Sequence, residues 1–184
     1  MANLITLFFL ISCLVGCKKG GPSSSSEFSS DTFNFYGAEF GMSQKAFFDY
    51  CREANLAGRM RNGDGMEVRV ELGDERFPGD AFVDFYPTFS EEGTLVEVPA
   101  KVSVQQWAIW NESAQPRNLL NPTLQHLDSL FPGPAFQPVS GGEGLRFFRC
   151  ASDYQTLVDA TDTRFLHVTF TLTDVLPDDC LCCE

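Results

Sequence analysis

Residues 166–172 have the sequence LHVTFTL, in which apolar and polar side chains alternate without a break. Successive side chains of a β-strand point to opposite faces of the sheet, so this alternation predicts a strand with one buried face. Residues 66–72 (MEVRVEL) show the same alternation, with Met66, Val68, Val70 and Leu72 on the apolar side. Two such strands predict a sheet that buries one face and leaves the other open.

Further segments alternate less cleanly and are also predicted as strands: residues 81–86, 95–98, 101–110, 145–150 and 154–158. Residues that favour turns lie between many of them, at Asn62-Gly63-Asp64-Gly65, Glu91-Glu92-Gly93, Gly141-Gly142-Glu143-Gly144 and 159–163. Strands that follow one another through short turns can pair antiparallel. The sheet is therefore predicted to be antiparallel.

Two helices are predicted to accompany the strands. Ser43 is suited to cap a helix from Gln44 to Asn55, one face of which carries Phe47, Tyr50, Cys51 and Ala54. Asn121-Pro122 predicts the start of the second helix, because asparagine caps well and proline is favoured at the first helical position. Its core side would carry Leu124, Leu127, Leu130 and Phe131, and Pro132-Gly133-Pro134 would end it.

The order of elements is helix, strands, helix, strands, which predicts an α+β fold: an antiparallel sheet with two helices packed on one face. The repeated order suggests a degenerate duplication of a helix-plus-strands unit. In this arrangement the chain is similar to β-lactamase inhibitory proteins and to the small periplasmic domains of outer-membrane assembly lipoproteins. The resemblance is architectural and assigns no function.

The first residues of the chain predict how it is exported. Residues 4–16 (LITLFFLISCLVG) are uncharged and almost wholly apolar, but fewer than the roughly 20 residues that a spanning helix needs. They are typical of a signal peptide. The run ends in Leu14-Val15-Gly16-Cys17, which resembles the lipobox of bacterial lipoproteins. An alternative box ends at Cys13, but it would leave the apolar Leu14-Val15 at the mature end.

This resemblance implies a signal peptide at residues 1–16 and a lipid, including palmitate, on Cys17. It also implies a membrane-anchored protein of the bacterial cell envelope, periplasmic or surface-facing, in the outer membrane if the cell is Gram-negative. Residues 17–31 are rich in Gly and Ser and are predicted to be a flexible linker. Residues 32–177 would form a single domain, and residues 178–184 a Cys-rich acidic tail.

The formal net charge of −12 restricts the partners of this domain. Binding to nucleic acid needs clusters of Lys and Arg that neutralise phosphates, and the sequence has none. Scattered acidic residues are typical of a solvated surface. The alternative is a partner or ligand that is basic.

The sequence contains few candidates for chemistry. His126 and His167 are its only histidines, neither lies in a metal-binding or nucleophile motif, and both are predicted to be exposed. Residues 62–65 look like the start of a calcium loop, but the closing Glu is missing and a hairpin turn is favoured. Trp107 and Trp110 are predicted to be one core and one partly exposed side chain.

Five cysteines lie beyond Cys17: Cys51, Cys150, Cys180, Cys182 and Cys183. Their odd number leaves at least one free, or bonded to another molecule, if the others pair. Cys51 is predicted to be a small buried apolar side chain on its helix. The tail would be pinned to the domain by a disulfide, or would form a soft-metal or redox site.

The lipid anchor, the acidity and the lack of catalytic motifs favour a non-catalytic binding module whose open sheet face receives a protein or envelope ligand. One alternative is a periplasmic enzyme whose site is assembled from residues distant in sequence. Another is a redox or metal-binding lipoprotein that uses the cysteine tail. No catalytic residue, metal ligand or cofactor is assigned from the sequence.

Overall fold

The strand-forming segments assemble into one antiparallel sheet in the computed structural model, which describes residues 33–141 and 144–176. The strands are β1 (Arg61–Asn62), β2 (Val68–Glu71), β3 (Ala81–Phe85), β4 (Thr88–Phe89), β5 (Leu95–Val104), β6 (Gln137–Pro138), β7 (Arg146–Cys150), β8 (Tyr154–Asp159) and β9 (Leu166–Leu172). The helices are α1 (Gln44–Leu56) and α2 (Pro116–Leu130). The predicted α+β fold is confirmed.

The sheet has the order β1-β2-β3-β5-β9-β8-β7-β6, with β4 also pairing with β5. Each half contains a helix, a short outer strand and three longer strands, and the first half also contains the two-residue β4. The last strands of the two halves, β5 and β9, pair at the centre. This is the repeated order that the sequence predicted. Outward from this central pair, the strands of each half follow in reverse chain order: β5, β3, β2 and β1 on one side, and β9, β8, β7 and β6 on the other.

The core lies on one face of the sheet, which also carries both helices. Register places inward-facing side chains opposite one another along adjacent strands: Val70, Val83, Phe85, Val98, Val102, Val158, Leu166, Val168 and Phe170. Phe47 of α1 meets Phe85 edge to face, and Phe131 at the end of α2 packs on Phe170. We call this side the inner face and the opposite side the outer face.

Helix α1 begins where the sequence predicted. The Ser43 hydroxyl accepts a hydrogen bond from the Ala46 N–H at 3.2 Å, which satisfies one of the donors that a helix start leaves unpaired. Phe47 and Ala54 are buried, whereas Tyr50 and Cys51 are half-buried. The predicted apolar face is therefore confirmed, with Phe47 at its centre.

The predicted start of the second helix at Asn121-Pro122 is wrong. Helix α2 begins at Pro116, after an extended Gln115, and Pro122 lies inside it. An internal proline lacks an N–H donor and costs about 3 kcal/mol. Because α2 begins at Pro116, its first turns bury Leu119 and Leu120. Burying a leucine contributes about 1.5–3 kcal/mol, which offsets the cost of the internal Pro122.

Two strand predictions also need correction. Met66 is 75% exposed and lies in the turn before β2, which begins at Val68, so the predicted strand starts two residues too early. Residues 95–98 and 101–110 were predicted as two strands, but residues 95–104 form the single strand β5, which includes Pro99, and residues 105–110 follow it outside any strand. Proline is tolerated in strands beside an interruption, and Pro99 lies opposite the gap between β3 and β4.

The turn predictions agree with the structure where it describes them. Residues 62–65 connect β1 to β2 as a hairpin, residues 91–93 precede β5, and residues 159–163 join β8 to β9. The turn at residues 141–144 falls partly outside the described residues. The predicted signal peptide, Cys17, the predicted linker and the tail lie wholly outside them. No helix in the described part of the chain is long and apolar enough to span a membrane.

Candidate binding surface: the outer sheet face and the cleft at its end

One row of ionisable side chains crosses the outer face of the sheet. The register brings together, as directly opposed neighbours on successive strands, Arg69, Asp84, Lys101, His167, Asp159 and Arg146. Directly opposed side chains of an antiparallel pair are about 5 Å apart at Cβ, so each residue can interact with the next. The row spans six strands, and no helix of the described residues lies over it.

The charges of this row are mostly neutralised in pairs. Arg69 donates two hydrogen bonds of 2.7 Å to the two oxygens of Asp84, and its guanidinium lies 3.9 Å from the centre of the Phe82 ring. Arg146 lies 3.0 Å from Asp159. Lys101 pairs with Glu67, which the turn before β2 brings onto the same face. Such pairs fix the side chains in place without giving the face a strong net charge.

His167 is half-exposed on this row and lies 3.0 Å from Asp162 in the turn before β9. The backbone N–H of Arg164 and the His167 ring hold the pKa of Asp162 well below its ordinary value. The predicted exposure of His167 is therefore partly correct. Its contact is with a turn carboxylate, which leaves the ring at the surface as a polar contact group.

Apolar side chains flank the charged row. Phe82 lies on one side of it, and the next row on the other side contains Pro99, Thr169, Leu157 and Phe148. These side chains are half-buried or exposed. A surface that mixes aromatic and aliphatic groups with Arg and ion pairs is typical of protein interfaces.

A cleft opens at one end of the outer face, beside the connection from β2 to β3. Its volume is about 610 Å³, within the usual range of ligand pockets. The side chains that line it include Arg61, Arg69, Glu71, Phe77, Phe82, Gln105 and the acidic Asp74, Glu75 and Asp80. Arg61 pairs with Glu71 at 2.9 Å. In the described residues, Glu75 and Asp80 make no ion pair or side-chain hydrogen bond.

A second polar cluster lies under the sheet and contradicts the predicted exposure of His126. The His126 Nε2 atom is 2.7 Å from the Tyr36 hydroxyl, and its Nδ1 atom is 2.8 Å from Asp74. Arg76 also binds Asp74. The side chain of His126 is largely buried because its helix position, beside Thr123 and Leu127, faces the segment before α1.

The order Asp74, His126, Tyr36 has the connectivity of a catalytic triad, but the surroundings do not support catalysis. The cavity beside Tyr36 and His126 has a volume of about 10 Å³, which holds at most about one water molecule, and of the three residues only Asp74 also lines the larger cleft. Burial raises the pKa of Tyr36, so its hydroxyl stays protonated and acts as a donor. The cluster instead joins three segments: the residues before α1, the β2–β3 connection and α2.

Replacing Asp74 by Asn tests this joining role. Hydrogen bonds from Arg76, with a further one from His126, lower the pKa of Asp74, so its carboxylate stabilises the fold above the unfolded pKa near 4. That stabilisation is lost as the pH falls below this value. We expect Asp74→Asn to cost about 2–3 kcal/mol at pH 7, and progressively less toward pH 2.

Urea midpoints of the wild type and Asp74→Asn at pH 7, 4 and 2 measure this effect. Asp153→Asn is the matched control, because Asp153 is exposed and makes no ion pair in the described residues. A difference between wild type and Asp74→Asn that stays constant from pH 7 to pH 2 would show that the charge of Asp74 is not what stabilises the cluster.

The cysteines differ in state. Cys51 is free, and burial raises its pKa to about 11, so it is a poor nucleophile at neutral pH. Cys150 is disulfide-bonded. In residues 33–141 and 144–176 no group of three or more potential ligands could hold a metal ion. The cysteine tail lies outside these ranges, so its redox or metal role stays a prediction.

The two tryptophans differ in burial as predicted, but each is more exposed than expected: Trp107 is half-buried and Trp110 is almost fully exposed. Trp107 packs against the core, with the Arg164 guanidinium 5.5 Å from its ring centre, whereas Trp110 is 84% exposed. The sequence did not reveal the charged row or the cleft, because both depend on strand register and on the path of the β2–β3 connection. The polar positions of the alternating strands indicated that one face of the sheet is exposed, but they did not indicate which charged residues pair on that face.

The fold and the surface define a class of α+β protein in which one face of an antiparallel sheet carries both helices and the other is open. Comparison with protein families, with curated proteins and with solved structures finds no match to this chain. Its function is therefore argued from the surface itself.

Proposed function

We propose that this protein is a lipid-anchored lipoprotein of the bacterial cell envelope, and that its outer sheet face binds a protein partner without catalysing a reaction. One observation carries the binding role: the row from Arg69 to Arg146 and its apolar flanks form an ordered surface, and no helix of residues 33–141 or 144–176 lies over it. Surfaces that combine fixed ion pairs with aromatic groups favour protein partners.

The size of the face supports a protein partner. The six longer strands, at about 4.8 Å spacing, extend over roughly 24 Å, and a strand of about six residues is roughly 20 Å long. The product is on the order of 500 Å², more than half of the roughly 800 Å² that one partner contributes to a stable interface. A small ligand would use only a fraction of this area.

The anchor is tested by metabolic labelling with palmitate. We expect Cys17→Ser to abolish labelling, because the lipid is transferred to this thiol, whereas Cys13→Ser should be labelled like the wild type. Labelling that survives in Cys17→Ser but is lost in Cys13→Ser would assign the lipid to the other box. Loss in neither variant would contradict the lipoprotein proposal.

The binding role is tested by a photo-crosslinking residue placed at Thr169, near the centre of the outer face. The matched control carries the same residue at Glu53, which is exposed on α1 and lies on the opposite side of the sheet. We expect irradiation of intact cells to give a discrete crosslinked species from position 169 only. No such species, or the same one from both positions, would contradict the use of this face.

A further inference from the structure

The loop that follows β5 exposes two large apolar side chains side by side. Ile109 is 78% exposed and Trp110 is 84% exposed, which is the highest value of any large apolar side chain among the described residues. Scattered exposed leucines or methionines are ordinary, but an exposed tryptophan next to an exposed isoleucine favours a contact surface.

This loop is held in a fixed conformation. The Gln115 side-chain amide donates to the backbone carbonyls of Ala108 at 3.0 Å and Asn111 at 3.3 Å. The Asn111 side chain in turn donates to the carbonyl of Gln106 at 3.2 Å. Trp110 is therefore presented on an ordered backbone, which lowers the entropy that a partner must overcome on binding.

The loop begins at the wall of the acidic cleft. The backbone N–H of Gln105 donates to the carbonyl of Asp80 at 2.9 Å, and Gln105 itself lines the cleft. Two arginines and four carboxylates line this cavity. Arg61 and Arg69 are already paired with carboxylates, which leaves Glu75 and Asp80 to attract a cation.

We propose that this end of the sheet, made of the cleft and the Ile109–Trp110 loop, docks a protein segment that presents a Lys or Arg side chain next to a large apolar side chain. The cation would lie in the cleft near Glu75 and Asp80, and the apolar group would pack on Trp110. This inference rests on the proposed binding function, since it names the chemistry of the partner.

Insertion of the same loop into a bilayer is the alternative. It is disfavoured because Glu75 and Asp80 would repel anionic lipid headgroups.

The test uses the full chain in detergent and two fluorescein-labelled probe peptides of ten residues. One alternates Arg with Leu, and the other replaces each Arg by Glu. We expect only the Arg peptide to bind, as measured by fluorescence anisotropy. Trp110→Ser should weaken its binding about tenfold or more, because a central aromatic contact is lost. Glu75→Gln/Asp80→Asn should weaken it about fivefold.

Matched controls separate docking from general attraction to an acidic protein. Leu56→Ser removes an equally exposed apolar side chain from α1, and Glu91→Gln/Glu92→Gln removes two charges from the turn before β5, at the other end of the sheet. Each control should change the affinity by less than about twofold, as expected for surface substitutions away from the site. Equal losses in the controls, or no preference for the Arg peptide, would overturn the proposal.

The membrane alternative has its own arm. The full chain is transferred from detergent into phosphatidylcholine nanodiscs, with and without phosphatidylglycerol. The wavelength of the fluorescence emission of Trp110 should not change. The variant Trp110→Phe gives the emission of Trp107 alone and serves as the reference. A blue shift caused by lipid alone would overturn the docking of a protein segment. If the Arg peptide fails but position 169 still crosslinks, the binding function stands and only this site is wrong.

Discussion

Phe47→Ala is expected to lower the free energy of unfolding by about 3–5 kcal/mol, the usual cost of deleting a buried phenylalanine and leaving a cavity. Phe47 is fully buried, and its ring is surrounded by Phe85, Tyr86 and Phe89. These neighbours belong to β3, to β4 and to the residues between them. Because strands restrain them, they cannot collapse into the vacated volume, so the cost should fall in the upper part of that range.

Phe48→Ala is the matched control, since the same substitution is made one position further along α1. Phe48 is 48% exposed, and its ring lies at the edge of the helix, 6.4 Å from the ring of Tyr86. Partial burial implies a loss of about 1 kcal/mol. Urea midpoints of the two variants decide the matter, and a Phe47→Ala midpoint close to that of Phe48→Ala would mean that α1 does not pack on the sheet through Phe47.

The contrast between Phe47 and Phe48 shows what periodicity can predict. A helix has 3.6 residues per turn, so the spacing of apolar residues after Ser43 was enough to indicate which phenylalanine is buried. The strand at residues 166–172 was equally clear, because its period of two matches its burial at the first three apolar positions, Leu166, Val168 and Phe170, and fails only at the last, Leu172. Local patterns of this kind predict elements and their buried faces.

Proline positions show where local patterns mislead. Pro122 was predicted to be the first residue of a helix, because proline is favoured at that position. Residues 95–98 were predicted to be a strand that ends before Pro99. In the structure Pro122 is internal to α2 and Pro99 is internal to β5. Packing of Leu119 and Leu120 in one case, and the gap between β3 and β4 in the other, provide compensation that only the tertiary structure contains.

The polar clusters could not be predicted for a related reason. His126 was assigned to the surface because it is off-centre on its helix, but Tyr36 and Asp74, 90 and 52 residues away in sequence, enclose it. Tyr36 also has a φ of 50°, a backbone angle that few residues other than glycine adopt, and no sequence pattern indicated it. Contacts between distant segments require the topology before they can be proposed.

Arg69→Ala is the second substitution with a large expected effect, although Arg69 lies on the open face. Its partner Asp84 is 3% exposed, and both carboxylate oxygens receive a hydrogen bond from Arg69. The turn at Gly63 lies directly over Asp84: a Cβ at position 63 would be only 2.9 Å from a carboxylate oxygen. Without Arg69, a buried carboxylate loses its only side-chain partner in the described residues, which typically costs about 3–5 kcal/mol.

The neighbouring pair on the same row provides the control. Lys101 and Glu67 are more exposed than Asp84, so Lys101→Ala should cost no more than about 1 kcal/mol. Arg69→Ala/Asp84→Ala should lose less stability than the sum of the two single variants, because the double variant leaves no unpaired buried charge. Urea denaturation of the four proteins at pH 7 measures this coupling, and strict additivity would show that Asp84 is solvated and that the pair does not fix the row.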